Sequence, residues 1–121
     1  MIKLVRLDYR LLHGQVVFSW TGHVGAQRII VVDDDAANDE MKKSALLLSK
    51  PAGVRVNIFT VDKAIAKRPK VEQLDEKIMM IFGNTAALLK FCQAYPKIKE
   101  INYGAVANKP GSKAFDQSVF L

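Results

Sequence analysis

The sequence predicts an α/β fold with a doubly wound, mostly parallel central sheet and helices on both faces. Three observations carry this. Short β-branched or apolar runs such as Arg28-Ile29-Ile30-Val31-Val32 suit strands buried on both sides, as parallel strands are. These runs alternate along the chain with helical patterns of about 10 residues, the mark of βαβ units. And 121 residues suffice for one core but not two, so the alternating elements belong to a single domain.

The strands are expected at Ile2 to Leu7, Arg28 to Val32, Val54 to Thr60, Lys77 to Phe82 and, with a weaker pattern, Lys99 to Tyr103; Ser118 to Leu121 begins a sixth. Between them, Gly14 to His23 carries an apolar surface of Val16, Val17, Phe18 and Trp20. Asn38 to Ser49 reads as one helix, with Asp39 and Glu40 early, Met41, Ala45 and Leu48 at helical spacing, and Pro51 and Gly53 as stops. Val61 to Lys67 is a short helix with Thr60 as its N-cap, followed by a basic turn at Lys67-Arg68-Pro69-Lys70. Thr85 to Ala94 places Leu88, Leu89 and Cys92 on one face, and Pro96 ends it. Asp33-Asp34-Asp35 reads as a solvated loop rather than a metal site, because no matching acidic pair closes the first strand.

Composition narrows the function classes. Half the residues are hydrophobic and a quarter charged, an ordinary globular balance that argues against disorder. Apolar runs such as Ile78 to Phe82 are about a strand long, far short of the ~20 residues of a membrane span. The N-terminal residues lack the apolar core of a signal peptide, and a single cysteine fits a reducing compartment, so a cytoplasmic location is expected. Eighteen Lys and Arg against 12 Asp and Glu give +6, which points to an anionic partner. The lysines are scattered and no nucleic-acid motif is present, so a nucleic-acid partner is not expected.

Doubly wound sheets bind ligands in the loops after strand C-termini, above all where the strand order reverses. The first such loop holds Arg6, Asp8, Arg10 and His13 within eight residues, directly before a helix. A neutral imidazole is a competent nucleophile near pH 7. Ahead of a helix N-terminus it would face unpaired amides, here those of Gly14, Gln15 and Val16, which are candidate donors to phosphate oxygens. Arg6 and Arg10 could neutralise the same oxygens, and Asp8 could orient an arginine or one imidazole nitrogen. These are the parts of a phosphoryl-transfer site. The bland reading stands beside it: His13 as a cap or surface residue, the arginines as solvated strand and loop ends, Asp8 as a turn residue.

The string Val5-Arg6-Leu7-Asp8-Tyr9-Arg10-Leu11-Leu12-His13-Gly14-Gln15-Val16 resembles the active-site segment of the IIB component of the mannose/fructose/sorbose class of bacterial phosphotransferase systems. The resemblance continues through Ser19-Trp20-Thr21, Arg28 to Asp34, Asn38 to Met41 and Pro51 to Val54, and more loosely around Phe82 to Thr85 and Ile101 to Gly104. It implies a phosphoryl carrier that takes phosphate from the IIA protein on His13. The phosphate then passes to a sugar held by the membrane IIC and IID components, with the carrier peripheral to that transporter. Asp8, Arg6 and Arg10 match residues around the histidine, and no metal or organic cofactor is implied. Relatives commonly carry a second acidic residue where Tyr9 stands, and usually continue for some tens of residues past the point matching Leu121, so a C-terminal helix and strand are expected to be missing here. A short, non-catalytic module that binds phosphorylated partners and regulates sugar uptake is the alternative, and the sequence leaves homo-oligomerisation open.

The fourth predicted strand should lie beside the first, which would bring Asn84 and Thr85 across the switch point from His13 as further phosphate ligands or as mere caps of the next helix. His23 is expected at the surface, Trp20 in the core, and Cys92 as a buried inert thiol.

Overall fold

A computed structural model describes residues 1–12, 15–98, 100–103 and 118–120. The elements run β1 (Ile2–Leu7), α1 (Gln15–Val24), β2 (Arg28–Val32), α2 (Asp34–Ala37), α3 (Glu40–Leu48), β3 (Arg55–Phe59), α4 (Val61–Gln73), β4 (Ile78–Phe82), α5 (Thr85–Ala94), β5 (Glu100–Tyr103) and β6 (Ser118–Phe120). They form one sheet in the order β3-β2-β4-β1-β5-β6. β1 to β5 are mutually parallel, and β6 pairs antiparallel with β5 at one edge. The expected doubly wound α/β fold is thus present.

Strand alternation divides the core. Ile29 and Val31 of β2, with Met79 and Ile81 of β4, face one side, where they meet Leu46, Trp20 and Val24 of α3 and α1. Ile30 and Val32, with Ile78, Met80 and Phe82, face the other and meet Val61, Val71, Leu88 and Phe91 of α4 and α5. β4 is buried throughout because it is central and covered on both faces. β1 continues into α1 on the first face, whereas its neighbour β4 continues into α5 on the second. The crevice between these two strand ends is the topological switch point, as the sequence predicts.

Four local expectations need correction. First, the Asn38 to Ser49 helix is present as α3, but the Asp33-Asp34-Asp35 stretch before it is not a loop. Asp33 caps a separate turn, α2, by accepting a hydrogen bond from the Ala36 amide at 2.9 Å, and Asp39 caps α3 through the amides of Met41 and Lys42. The aspartate run is therefore a helix start, favoured by carboxylates near the positive end of the helix dipole, and not a loop. Second, α4 extends through Pro69 to Gln73, so the Lys67 to Lys70 turn is helical. Burial of Val71 on the sheet and the Arg68–Glu72 ion pair at 2.8 Å draw the chain through a residue that would stop a free helix. Third, Leu89 is exposed: Ala87, Leu88 and Phe91 make the buried face of α5, with Cys92 half-buried beside them. Fourth, Phe18 lies at the surface of α1 rather than in a packed stripe. Thr60 does cap α4, accepting from the Lys63 amide at 3.2 Å.

Candidate functional site

The site begins where β1 ends. The Asp8 amide donates to the Phe82 carbonyl of β4 at 2.9 Å, so the strand ladder fixes Asp8 at the switch point before the chain turns. The Leu11 amide closes that turn onto the Asp8 carbonyl at 3.1 Å. Leu11 has φ +56°, a left-handed conformation that costs a leucine of order 1–3 kcal/mol and persists only where surroundings enforce it. Here Leu11 and Leu12 are buried against Ile29, Met79 and Ala36, and this anchorage sets the direction in which the chain leaves toward residue 13.

Inside the turn the Asp8 carboxylate is wholly buried and accepts four hydrogen bonds. Oδ1 receives the Arg10 amide and Arg10 Nε, both at 3.0 Å; Oδ2 receives Arg10 Nη2 at 3.0 Å and Arg6 Nη2 at 3.3 Å. A carboxylate has about four lone-pair sites, and all are used. Asp8 is therefore a holder of the two arginines and has no site left for an imidazole. Burial pushes its carboxyl up, but the hydrogen bonds from Arg10 and the charges of both arginines outweigh that and leave it below the ordinary carboxylate range. Arg6 is lowered, by burial first, with Asp8 opposing, whereas the more exposed Arg10 is raised by Asp8. Guanidinium groups stay protonated in proteins, so two cations against one anion leave the site positive.

Arg6 is no solvated strand end. It is 3% exposed, sandwiched between the Trp20 ring of α1, whose centroid is 6.0 Å from Cζ, and Asn102 of β5, whose Oδ1 accepts from Nη1. Arg6 and Asn102 stand directly opposite in the β1–β5 register. Its Nε is buried without an acceptor among the described residues. Asn102 is a neighbour of the cluster to which the sequence, beyond the loose resemblance around Ile101 to Gly104, assigns no part. Gly83, after β4, is a second. A Cβ there would collide with the Asp33 carboxylate and lie 3.1 Å from Leu11 Cδ2, so only glycine lets the loops after β1, β2 and β4 meet this closely.

Of the residues singled out by sequence, Arg6, Asp8 and Arg10 come together. His13 and Gly14 lie outside the described residues, as do the side chains of Gln15 and Val16. α1 opens at Gln15, so the first-turn amides have no intrahelical acceptors. Asn84 caps α5, its Oδ1 accepting from the Ala87 amide at 2.8 Å, and Thr85 is exposed on the first turn. Among the described residues neither is hydrogen-bonded to the arginine cluster. A cleft of about 460 Å³ flanks Tyr9, Arg10 and Leu11 on the side of α2 and α3, with Asp33 and Lys42 on its far wall. His23 is exposed, edge-on to Trp20, and burial pushes the Cys92 thiol up, away from thiolate chemistry.

A doubly wound α/β domain with a carboxylate-clamped arginine pair at its switch point, ahead of a helix start, belongs to the class that handles phosphorylated groups. A family model described as the PTS system sorbose subfamily IIB component matches residues 2–121. The chain is 36% identical over 120 residues to the sorbose-specific EIIB component of Klebsiella pneumoniae, covering 99% of this chain and 73% of that one. It is 33% identical over 119 residues to the mannose-specific EIIAB component of Escherichia coli K12, covering 98% of this chain and 37% of that one. The crystal structure of the N-acetylgalactosamine-specific IIB component 1 of Escherichia coli superposes with a TM-score of 0.85 at 29% identity, covering 100% of this chain and 79% of that one. The chain belongs to the sorbose subfamily of phosphotransferase-system IIB components. It is thus a phosphotransferase, a phosphoryl carrier in sugar transport. No helix among the described residues is long and apolar enough to cross a membrane.

Proposed function

We propose that His13 is the phosphoryl-carrying residue and that Arg6, Asp8 and Arg10 form its electrostatic support. The observation that carries this is the fully buried Asp8 carboxylate, saturated by two guanidiniums, five residues before the only histidine of the loop. An imidazole nitrogen of His13 attacks the phosphorus of a phosphohistidine on the IIA protein: a P–N bond forms to His13 as the donor's P–N bond breaks. A sugar hydroxyl, bound by the membrane IIC and IID components, then attacks the same phosphorus. The P–O bond forms, the P–N bond breaks, and the hydroxyl proton passes to a base or to solvent.

Arg10, a third exposed and locked by Asp8, offers its free guanidinium edge to the equatorial oxygens. Arg6, too deeply buried to reach a partner protein, adds its charge from beneath. The amides of Gly14, Gln15 and Val16 and the amide or hydroxyl of Asn84 and Thr85 complete the donor set. Positioning and charge neutralisation supply most of the catalysis of phosphoryl transfer, and a pre-locked arginine does both without reorganising. The mannose relative is named an EIIAB component, which supports IIA as the donor.

The test is reconstitution. With phosphorylated IIA and membranes carrying IIC and IID, the chain should support formation of sugar phosphate; phosphorylation of the chain without any transfer to sugar would instead assign it a regulatory role.

A further inference from the structure

We propose that the groove between β3 and α4 is a docking site for an acidic, partly apolar segment of a partner polypeptide, separate from the phosphoryl site. The groove holds about 320 Å³. One wall is the exposed face of α4, where Lys63, Lys67 and Lys70 recur at i, i+4 and i+7. The floor is mostly apolar, made of Ile30, Phe59, Val71 and Leu74 with Asn57 among them, and Arg28 closes one end. Four of the nine lining residues are cationic and none is a carboxylate.

Arg28 is already paired with Glu76 at 2.9 Å, so the open charges of the groove are its three lysines. The three groove lysines have no carboxylate partner among the described residues; Lys63 instead lies 5.0 Å from the centroid of the Phe59 ring. Three like charges on one helix face repel one another, an arrangement that an anionic partner would relieve.

Geometry selects the class of partner. Along α4 the lysines are spaced by about 6 Å and about 4.5 Å at 1.5 Å rise per residue. Alternate side chains of an extended polypeptide are about 6.6–6.8 Å apart and point to one side, while those between point to the other. The step from Lys63 to Lys67 is close to that repeat and the step to Lys70 is shorter, so a segment alternating acidic and apolar residues would set two carboxylates on Lys63 and Lys67 and its apolar side chains on the recessed floor. A flat lipid surface reaches the lysines but not the floor, and a nucleic-acid backbone brings phosphates to the lysines but no aliphatic side chain to the floor. β3 is the outer strand of the sheet, so the groove opens at the rim of the molecule. It lies on the α4–α5 face, opposite the cleft beside Arg10, so an occupant leaves the phosphoryl site accessible.

The experiment titrates the full ¹⁵N-labelled chain with the capped peptide Glu-Leu-Glu-Leu-Glu, followed by amide shifts. Shifts concentrated at Asn57, Phe59, Lys63, Lys67 and Lys70 are expected. Affinity should fall about tenfold or more in the triple variants Lys63→Glu, Lys67→Glu, Lys70→Glu and Lys63→Gln, Lys67→Gln, Lys70→Gln. Unchanged shifts at Met79 and Ile81 show that the variants fold, and if the charge-reversed protein does not fold, the glutamine variant decides. Phosphoryl acceptance at His13 should be unaffected, which separates this proposal from the one above. Shifts spread over all surface lysines, binding that ignores both triple variants, or engagement of the groove by phosphatidylglycerol vesicles or a single-stranded RNA oligomer in place of the peptide would each overturn it.

Discussion

Arg10 and Asp8 form a two-point pair, with Nε on Oδ1 and Nη2 on Oδ2, each at 3.0 Å, while the carboxylate has no exposure to solvent. The Arg10 backbone amide reaches the same Oδ1, so a single residue is held by both its main chain and its side chain. In the proposed function this loop brings its cation to the phosphoryl group already aimed, and most of what can be tested follows from that.

Replacing Asp8 with asparagine removes the charge and strands Arg6 in the interior. Loss of one partner of a buried pair costs roughly 3–5 kcal/mol. Arg10 can turn to water, so the cost should lie near the lower end, at about 3 kcal/mol. Urea denaturation of Asp8→Asn against the wild type measures it, and a loss below about 0.5 kcal/mol would mean that the carboxylate does not hold the loop.

Acid should unfold this protein partly through Asp8. Its folded carboxyl binds a proton less readily than the ordinary value of about 3.9 for the unfolded chain. Folding is therefore favoured by this group above that value, and the contribution drains away as pH falls through the lower, folded-state titration. Stability measured between pH 6 and pH 2 should fall less steeply at the acid end in Asp8→Asn than in the wild type; parallel curves would contradict the assignment.

The Arg6–Asn102 contact crosses from β1 to β5. In Asn102→Leu the buried guanidinium loses an acceptor that nothing else in the described residues replaces, at a cost of about 1–3 kcal/mol. Asn102→Asp restores an acceptor and should recover most of that loss. Equal destabilisation by both would show that packing, and not the hydrogen bond, is what matters at this position.

Asn84 separates capping from phosphate contact. Asn84→Asp keeps a good N-cap oxygen for the Ala87 amide, so stability should change by less than about 0.5 kcal/mol. It also replaces an amide donor with a negative charge, and phosphoryl acceptance from IIA should fall severalfold. Unchanged acceptance would reduce Asn84 to a cap.

Much of this site was legible because its parts are close in the chain. Arg6, Asp8 and Arg10 alternate along one short segment, and their proximity needs no knowledge of the fold. The central strands were legible for another reason: Ile78 to Phe82 is apolar at every position because helices cover both faces. What stayed hidden depends on distant contacts. Asn102 matters only because β5 pairs with β1 in a register that sets it opposite Arg6. The α4 extension past Pro69 follows from burial of Val71, which a local stop signal does not anticipate. The Asp33–Asp35 run looks like a loop until Asp33 is seen capping α2 and Asp34 accepting the Val61 amide at 2.8 Å.

The most direct test of the central claim is transfer of labelled phosphate from phosphorylated IIA to the wild type, His13→Ala and His23→Ala. The chain has two histidines, and both fall in one tryptic peptide between Arg10 and Arg28, so the variants rather than a tryptic digest decide between them. Label should be lost in His13→Ala and retained in His23→Ala. Retention in His13→Ala, with the protein folded, would contradict the account.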